Sequence, residues 1–501
     1  MLFTSYEFII FMISVIFLYY IVPGKVQWCF LLVASSFFYG YSHPQYLFFI
    51  IITVITAYIA GLKISELDIK NNMGRKKAWL VIFLIINIGI LALLKYTDFF
   101  IDTVNEIFNK SFSMRNFILP MGISYYTFQI TGYITDVYRG KIEAERNPFK
   151  LMLFTSFFPQ LVQGPISRYD ELTKSLFEEK RYNHKTVSFG IQRIIWGYFK
   201  KLVIADRISI AVMNLTNSEP VGMYAVMLMV LYAIEIYCDF TGGIDIAIGI
   251  GETMGIKMPE NFIRPYFSKS IGEYWRRWHI TMGTWFRDYV FYPISTSRFL
   301  ANILGKTRRK LGQKAGRRMA LYIPTLTVWL LTGLWHGAGW NYIVWGMLNG
   351  IIILISYELT PAYKKLNKKL KTDNKPWFGA VRIIRTFLLM SSLRLLDCFK
   401  NPIKAFKTFG SIFCTWNYGE IFNGKMINTG LTYGDAAVIF IGVIILLITG
   451  VLGRKINIRE RLHEKPVCLR YCVYVIMIVT IVIFGAYGKG YDASLFIYSR
   501  F

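Results

Sequence analysis

The chain has 501 residues, of which 54% are hydrophobic and 17% aromatic while 17% are charged; a soluble domain is roughly 45–50% apolar and about 25% charged. Mean hydropathy is +0.41, which excludes an ordinary water-soluble protein and a disordered one. A net charge of +27 would suit nucleic acid, but the Lys and Arg residues fall in short stretches between apolar runs, as the positive-inside rule expects of cytoplasmic loops, and nucleic-acid binding is set aside.

In chain order, the first apolar run, 6–22 ("YEFIIFMISVIFLYYIV"), lacks a basic leader and a small-residue cleavage pattern and reads as a retained helix. Apolar runs follow at 28–42, 44–62, 78–95, 117–135, 150–165, 187–213, 222–251, 321–335, 340–358, 382–397, 434–452 and 469–487. Crossing a bilayer takes roughly 17–25 helical residues, and several runs are short or broken by Gly and Pro. The reading is therefore an all-α polytopic membrane protein of about 11–13 transmembrane and re-entrant helices, one integral-membrane domain over 1–501.

Basic blocks lie at 63–77, 298–318, 364–375 and 454–470. Placing all four in the cytoplasm gives an outside N-terminus, three crossings before the first block and an outside C-terminus. Segments 321–335 and 340–358 then form an in-and-back pair with His336 at its turn.

The six cysteines (Cys29, Cys238, Cys398, Cys414, Cys468, Cys472) show no CxxC spacing, and the five histidines (43, 184, 279, 336, 463) include no HxxxH pair, so no metal site is expected. The glycine-rich stretch 242–255 matches neither nucleotide-loop spacing and reads as close helix packing. Glu235 and Asp239 share one helical face within an apolar run. Acids at that depth pair with a base, here an Arg of the following segment, or line a polar cavity.

Two stretches carry chemistry. From Met319 to Tyr357 there is no Asp, Glu, Lys or Arg, yet His336 sits there within "LTGLWHGAGWNYIVWGMLNG". It is either a hydrogen-bonded structural residue or a functional one, the default for an ionisable group in a membrane. Upstream, "PENFIRPYFSKSIGEYWRRWHITMGTWFRDYVFYP" (259–293) interleaves Trp275, Trp278 and Trp285 with Arg276, Arg277, Arg287 and Asp288. That mixture suits an interfacial anchor. It also suits an entrance for an anionic cytosolic substrate, with Arg276 and Arg277 on phosphate and the Trp faces on an adenine or an aliphatic arm.

These two stretches, with "LPMGISYYTFQITGYITDVYRGKIEAERN", "FFPQLVQGPISRYDEL", "YCDFTGGIDIAIGIG" and the terminal "SLFIYSRF", resemble the membrane-bound O-acyltransferases, in particular the bacterial alginate O-acetyltransferase-like branch. The matching motifs span 119–350, with the C-terminal helices at 382–487 beyond them. The resemblance implies a helical bundle around a through-membrane tunnel. It implies that His336 of the WHG motif is the catalytic base and that His279 of WRRWH is the branch's second histidine. Asn261, Arg264 and Pro265 correspond to an N-F-x-R-P element and Gln163, Gly164 and Pro165 to a Q-x-G-P element, both shaping the cavity. Trp335 and Trp340 would wall the tunnel against water, and Gly333, Gly337 and Gly339 would let substrate approach.

The chain departs from the branch in three places. Thr241, Gly242, Gly243 and Ile244 replace serine-tyrosine-serine, block 298–318 replaces a short Gly-Gly-Asn-Arg loop, and "LRLLDCFKNPIKAF" replaces an aromatic-Arg-Ala element. These departures speak against alginate itself as acceptor.

The implied activity is transfer of acetyl from cytosolic acetyl-CoA across a bacterial cell membrane to an extracytoplasmic polysaccharide or cell-wall polymer. An extracytoplasmic esterase-like partner protein would relay the group, and no bound cofactor is needed. A neutral imidazole, with an ordinary pKa of about 6.5, suits removal of a hydroxyl proton near neutral pH. No Ser or Cys stands in a nucleophile motif, which argues against a covalent enzyme intermediate. The alternatives are D-alanyl transfer to teichoic acid by the same fold, and a transporter or flippase in which His336, Glu235 and Asp239 relay protons. The latter class often carries inverted repeats, and none is visible.

Overall fold

In hydrocarbon the backbone can satisfy its own donors and acceptors only as helices or closed barrels, and the apolar runs here form helices. The computed structural model describes residues 1–41, 43–67, 72–372, 375–423 and 429–487. Every regular element among them is helical. Among the described residues, six helices are long and apolar enough to cross a membrane: Tyr46–Glu66, Met73–Phe108, Met223–Thr253, Trp340–Leu370, Tyr433–Leu452 and Val467–Phe484. The protein is an all-α polytopic membrane protein. Parts of blocks 63–77 and 364–375, and the terminal "SLFIYSRF", lie outside the described residues.

Three runs fold differently from their sequence reading. Run 150–165 divides into Pro148–Ser156 and Phe158–Leu161, because Pro159 has no N–H to continue the ladder. Run 187–213 is His184–Tyr198, a π-helical stretch Phe199–Ala205, and Asp206–Asn217. Block 298–318, read as a loop, belongs to the Arg298–His336 helix, which is kinked at Gly312 where φ is +83°. Its Lys, Arg, Leu, Ala and Gln are strong helix formers, and its first proline is Pro324.

The chain forms two compact units interleaved in sequence. The first comprises Met1–Leu202, Asp239–Pro259 and the described residues from Lys455 onward. Its core is aromatic: Phe3 stacks on Phe8 with centroids 4.6 Å apart, and Phe11 meets Phe158 edge-on at 5.2 Å. The later half of the Met223–Thr253 helix packs on His184–Tyr198 through glycines. A Cβ at Gly190, Gly197, Gly242 or Gly249 would fall 2.5–2.9 Å from backbone atoms of the other helix, so the glycine-rich stretch does serve close helix packing.

Beside these glycines lies a buried charge network. Lys201 Nζ meets Asp239 Oδ1 at 2.6 Å with both side chains 1–2% exposed. Lys200 Nζ reaches Asp245 Oδ2 at 2.5 Å and Thr241 Oγ1 at 2.8 Å, and Arg193 Nε reaches Asp245 Oδ1 at 2.9 Å. The π-helical stretch that carries Lys200 and Lys201 brings both ammoniums onto one helix. The partner expected for Asp239 was an Arg from the following segment; the observed one is a lysine from a preceding segment.

The second unit comprises Val203–Cys238 and Glu260–Arg454. Its centre is the hairpin of Arg298–His336 and Trp340–Leu370. A Cβ at Gly346 would lie 2.3 Å from Trp329 O, and one at Gly333 2.4 Å from Tyr342 O. Pro376–Cys398 joins this hairpin where Asn341 Nδ2 donates to Leu396 O at 3.0 Å. Glu235 lies in the half of its helix that belongs to this unit, so the two acids four residues apart fall in different units.

Removing one member of a buried ion pair strands the other, at a cost of about 3–5 kcal/mol, whereas replacing both by apolar groups is far milder. Lys201→Met should lower the thermal unfolding midpoint in detergent sharply, and Lys201→Met with Asp239→Leu should recover most of it.

Candidate active site

The WRRWH segment is held to the N-F-x-R-P segment by two backbone hydrogen bonds. Ile280 N donates to Asn261 O at 2.9 Å and Ile263 N to Arg277 O at 3.0 Å. Asn261 Oδ1 accepts from Thr281 N at 3.1 Å and Thr281 Oγ1 at 2.9 Å, and it faces His279 Nδ1 at 3.2 Å. The Thr281 N–H can only donate, which fixes the facing amide atom as oxygen. His279 Nδ1 therefore carries the proton, and Nε2 keeps the lone pair with which imidazole accepts a proton or a hydrogen bond.

His279 is fully buried. Burial, reinforced by the Arg394 guanidinium, pulls its pKa down from the ordinary 6.5 to about 3. Both His279 (φ +48°, ψ 53°) and Arg264 (φ +48°, ψ 57°) adopt the left-handed region. For residues with a Cβ this costs on the order of 1–3 kcal/mol each and concentrates at functional sites.

His336 is the last residue of Arg298–His336, and its ring is packed between two indoles, with Trp335 at 5.1 Å and Trp345 at 4.8 Å between centroids. Trp335 also meets His279 at 5.8 Å. The two histidines thus share one aromatic neighbour. Trp345 continues into Trp275 at 5.8 Å and Trp329 at 6.1 Å, forming a wall of indoles.

Arg394, which sequence reasoning missed, joins the two histidine-bearing segments. Its guanidinium lies over Trp278 at 4.9 Å and over Trp345 at 5.4 Å, and its charge is met by Asp397 Oδ2 at 2.9 Å with both side chains 3–4% exposed. The available signal was an Arg and an Asp three residues apart inside run 382–397, since a charge at membrane depth marks function or a buried pair.

Of the other expected site residues, Trp278 is buried, with Tyr274 stacked on it at 5.5 Å. Its faces are occupied by protein, not open to adenine. Arg277 lies on Glu273 Oε1 at 2.7 Å, Arg276 is exposed, and Arg287 pairs with its neighbour Asp288 at 2.8 Å. Trp285 is buried against Tyr289 at 5.2 Å. Gln163 and Asp239 belong to the first unit, and the Gln163 amide has no hydrogen-bond partner among the described residues. Trp340 is 48% exposed. The space beside Gly333, Gly337 and Gly339, read as room for substrate, is filled by the protein: added Cβ atoms would lie 2.2–2.5 Å from Tyr342 or Asn341. These glycines seat the helix turn that presents His336.

Because folded His279 stays neutral while an unfolded histidine protonates below about 6.5, the unfolded state binds more protons as pH falls. Stability should be complete above pH 6.5 and decline as pH falls from there toward 3. A series of thermal midpoints in detergent checks this, and His279→Gln should flatten the slope while lowering the midpoint at neutral pH.

The model of the MBOAT, membrane-bound O-acyltransferase family, matches residues 141–307, which include His279 and Asn261; His336 lies beyond them. A probable alginate O-acetylase of Pseudomonas syringae pv. tomato is 32% identical over 456 residues, covering 88% of this chain and 80% of the relative. A peptidoglycan O-acetyltransferase of Helicobacter pylori is 31% identical over 366 residues, 67% of this chain and 66% of the relative. A teichoic acid D-alanyltransferase of Bacillus subtilis is 32% identical over 283 residues, 54% and 67% of the two chains. With a relative of 32% identity matched over 80% of its length, the chain belongs to the membrane-bound O-acyltransferase family.

Proposed function

We propose that this protein is an O-acetyltransferase of a bacterial cell membrane. It takes acetyl from cytosolic acetyl-CoA and delivers it to a hydroxyl of an extracytoplasmic polysaccharide or cell-wall polymer, through an extracytoplasmic partner protein. The observation that carries this reading is the pair of buried imidazoles bridged by Trp335, which gives proton-accepting groups inside a wall of indoles. The relatives named for alginate and peptidoglycan acetylation support acetyl as the group and a polymer as the acceptor.

In this mechanism His336 takes the hydroxyl proton as oxygen bonds to the thioester carbonyl carbon, and the thiolate leaves when the tetrahedral intermediate collapses. The proton then passes from the imidazolium to the thiolate. The indoles keep water from the thioester. His279, with its proton on Nδ1 toward Asn261, offers Nε2 to the donor or to the intervening hydrogen bonds.

D-alanyl transfer is the second reading, favoured by the similarity to the Bacillus subtilis relative. It would need an aminoacyl donor in place of acetyl-CoA.

The test is transfer of radiolabelled acetyl from acetyl-CoA to polymer or partner in inside-out vesicles. His336→Ala at matched expression should lose at least about 100-fold, in the range of general acid–base catalysis. Equal activity in the variant would make the histidine structural, and a wild type inert with acetyl-CoA but active with a carrier-bound D-alanyl thioester would establish the second reading. His279→Gln should lower the rate without moving any acid limb between pH 5 and 8, since burial and the Arg394 guanidinium hold the His279 pKa well below that range.

A further inference from the structure

Block 298–318 forms the foot of the helix that ends at His336. No acidic residue occurs between Asp288 and Glu358, and both of these are taken. Arg287 holds Asp288 at 2.8 Å, while Arg318 and the Tyr322 hydroxyl hold Glu358 at 2.6 and 2.8 Å. Lys306, Arg308, Arg309, Lys310, Lys314 and Arg317 are all exposed, and none of them meets a carboxylate among the described residues. Like charges this close repel one another unless anions gather around them.

The block is a bent pair of helical limbs, not a straight rod. Gly312, at φ +83°, separates the two limbs. A Cβ at Gly316 would lie 2.3 Å from Arg308 Cγ, whereas eight residues of continuous helix span about 12 Å, so the chain bends back at Gly312. Each of the six cations stands within six residues of that glycine, about 9 Å along either limb.

Depth follows from the same hairpin of helices. The charge-free stretches 319–336 and 340–357 are each about 27 Å long as helix, close to the roughly 30 Å of hydrocarbon in a bilayer. The Arg318–Glu358 pair closes both stretches on the side that the charge bias assigns to the cytoplasm, and so marks the edge of the hydrocarbon. Gly312 lies six residues beyond Arg318, about 9 Å of helix, against a headgroup layer of about 5–8 Å per leaflet. The cations are thus held at headgroup depth. The first limb runs back from the bend to an apolar end, "RFLANIL", where Phe299 is 71% exposed, as suits a return toward the hydrocarbon edge.

We propose that the bent limbs of 298–318 are an anionic-lipid site, whose exposed cations collect phosphatidylglycerol-type headgroups of the cytoplasmic leaflet around the foot of the His336 helix. Basic clusters beside a membrane-spanning helix draw anionic lipid in this way. Charge, bend and depth carry this assignment without reference to acyl transfer. An acidic cytosolic protein offers the same charge, but lipid headgroups already occupy that depth.

The test uses the full chain carrying Leu311→p-benzoylphenylalanine, at a position beside the bend that is 72% exposed, in nanodiscs of equimolar phosphatidylcholine and phosphatidylglycerol. After illumination, mass spectrometry counts the adducts of each lipid on the peptide containing position 311. Phosphatidylglycerol adducts should outnumber phosphatidylcholine adducts at least about threefold. The ratio should fall to about one in roughly 1 M salt, where the Debye length is about 3 Å, and in the triple variant Arg309→Gln, Lys310→Gln, Lys314→Gln. All three side chains are exposed; should the triple variant lose its fold, Lys310→Gln with Lys314→Gln serves in its place and should give an intermediate ratio. Equal labelling of the two lipids in the unsubstituted block, or a ratio indifferent to both salt and substitution, overturns the site. Adducts to neither lipid overturn the depth on which it stands. Labelling in whole membranes that yields a protein adduct and no lipid adduct would put an acidic partner in place of the leaflet, and overturns the proposal as well.

Discussion

The arrangement around the histidines depends on one buried cation. Arg394 is sandwiched against Trp278, which adjoins His279 in sequence, and against Trp345, which packs on the His336 ring. Cation–π contacts are worth about 2 kcal/mol or more when desolvated, and here a single guanidinium makes two. Asp397 supplies the countercharge one turn along the same helix, with both side chains buried. Three segments far apart in sequence are thereby tied at one point, and the chemistry assigned to His336 needs them fixed relative to one another.

The glycines serve the same purpose. Gly333 and Gly346 let two helix backbones approach so closely that no side chain fits between them, and Gly337 gives up its side chain to the Tyr342 ring. The histidine is presented by a turn that cannot widen. On the other histidine, the Asn261 carboxamide oxygen gathers three donors and sets the tautomer, while the left-handed backbone at His279 shows local preference yielding to that positioning.

Much of this was legible in the sequence. Apolar runs separated by basic blocks marked the membrane-spanning helices, because hydrocarbon permits few backbone solutions. His336 stood out as the one ionisable group in a charge-free stretch. The helix-packing role of Gly242 and Gly249 followed from spacing that fits no phosphate loop. What was not legible depends on contacts between distant segments. Nothing local tells that Lys201, rather than a later Arg, meets Asp239, or that Trp278 is covered by Arg394 instead of being open to a ligand. The glycines around His336 were read as room for substrate, since sequence shows small side chains but not what fills the space they leave. Block 298–318 was read as a loop from its charge, although its residues favour helix.

The central claim is that one buried aromatic site brings a thioester to His336. The most direct measurement is a cryo-electron microscopy structure in nanodiscs with a non-hydrolysable thioether analogue of acetyl-CoA. The account predicts the acyl carbon beside the His336 imidazole, between Trp335 and Trp345. An analogue bound with its acyl carbon remote from His336, among the helices of the first unit, would contradict it.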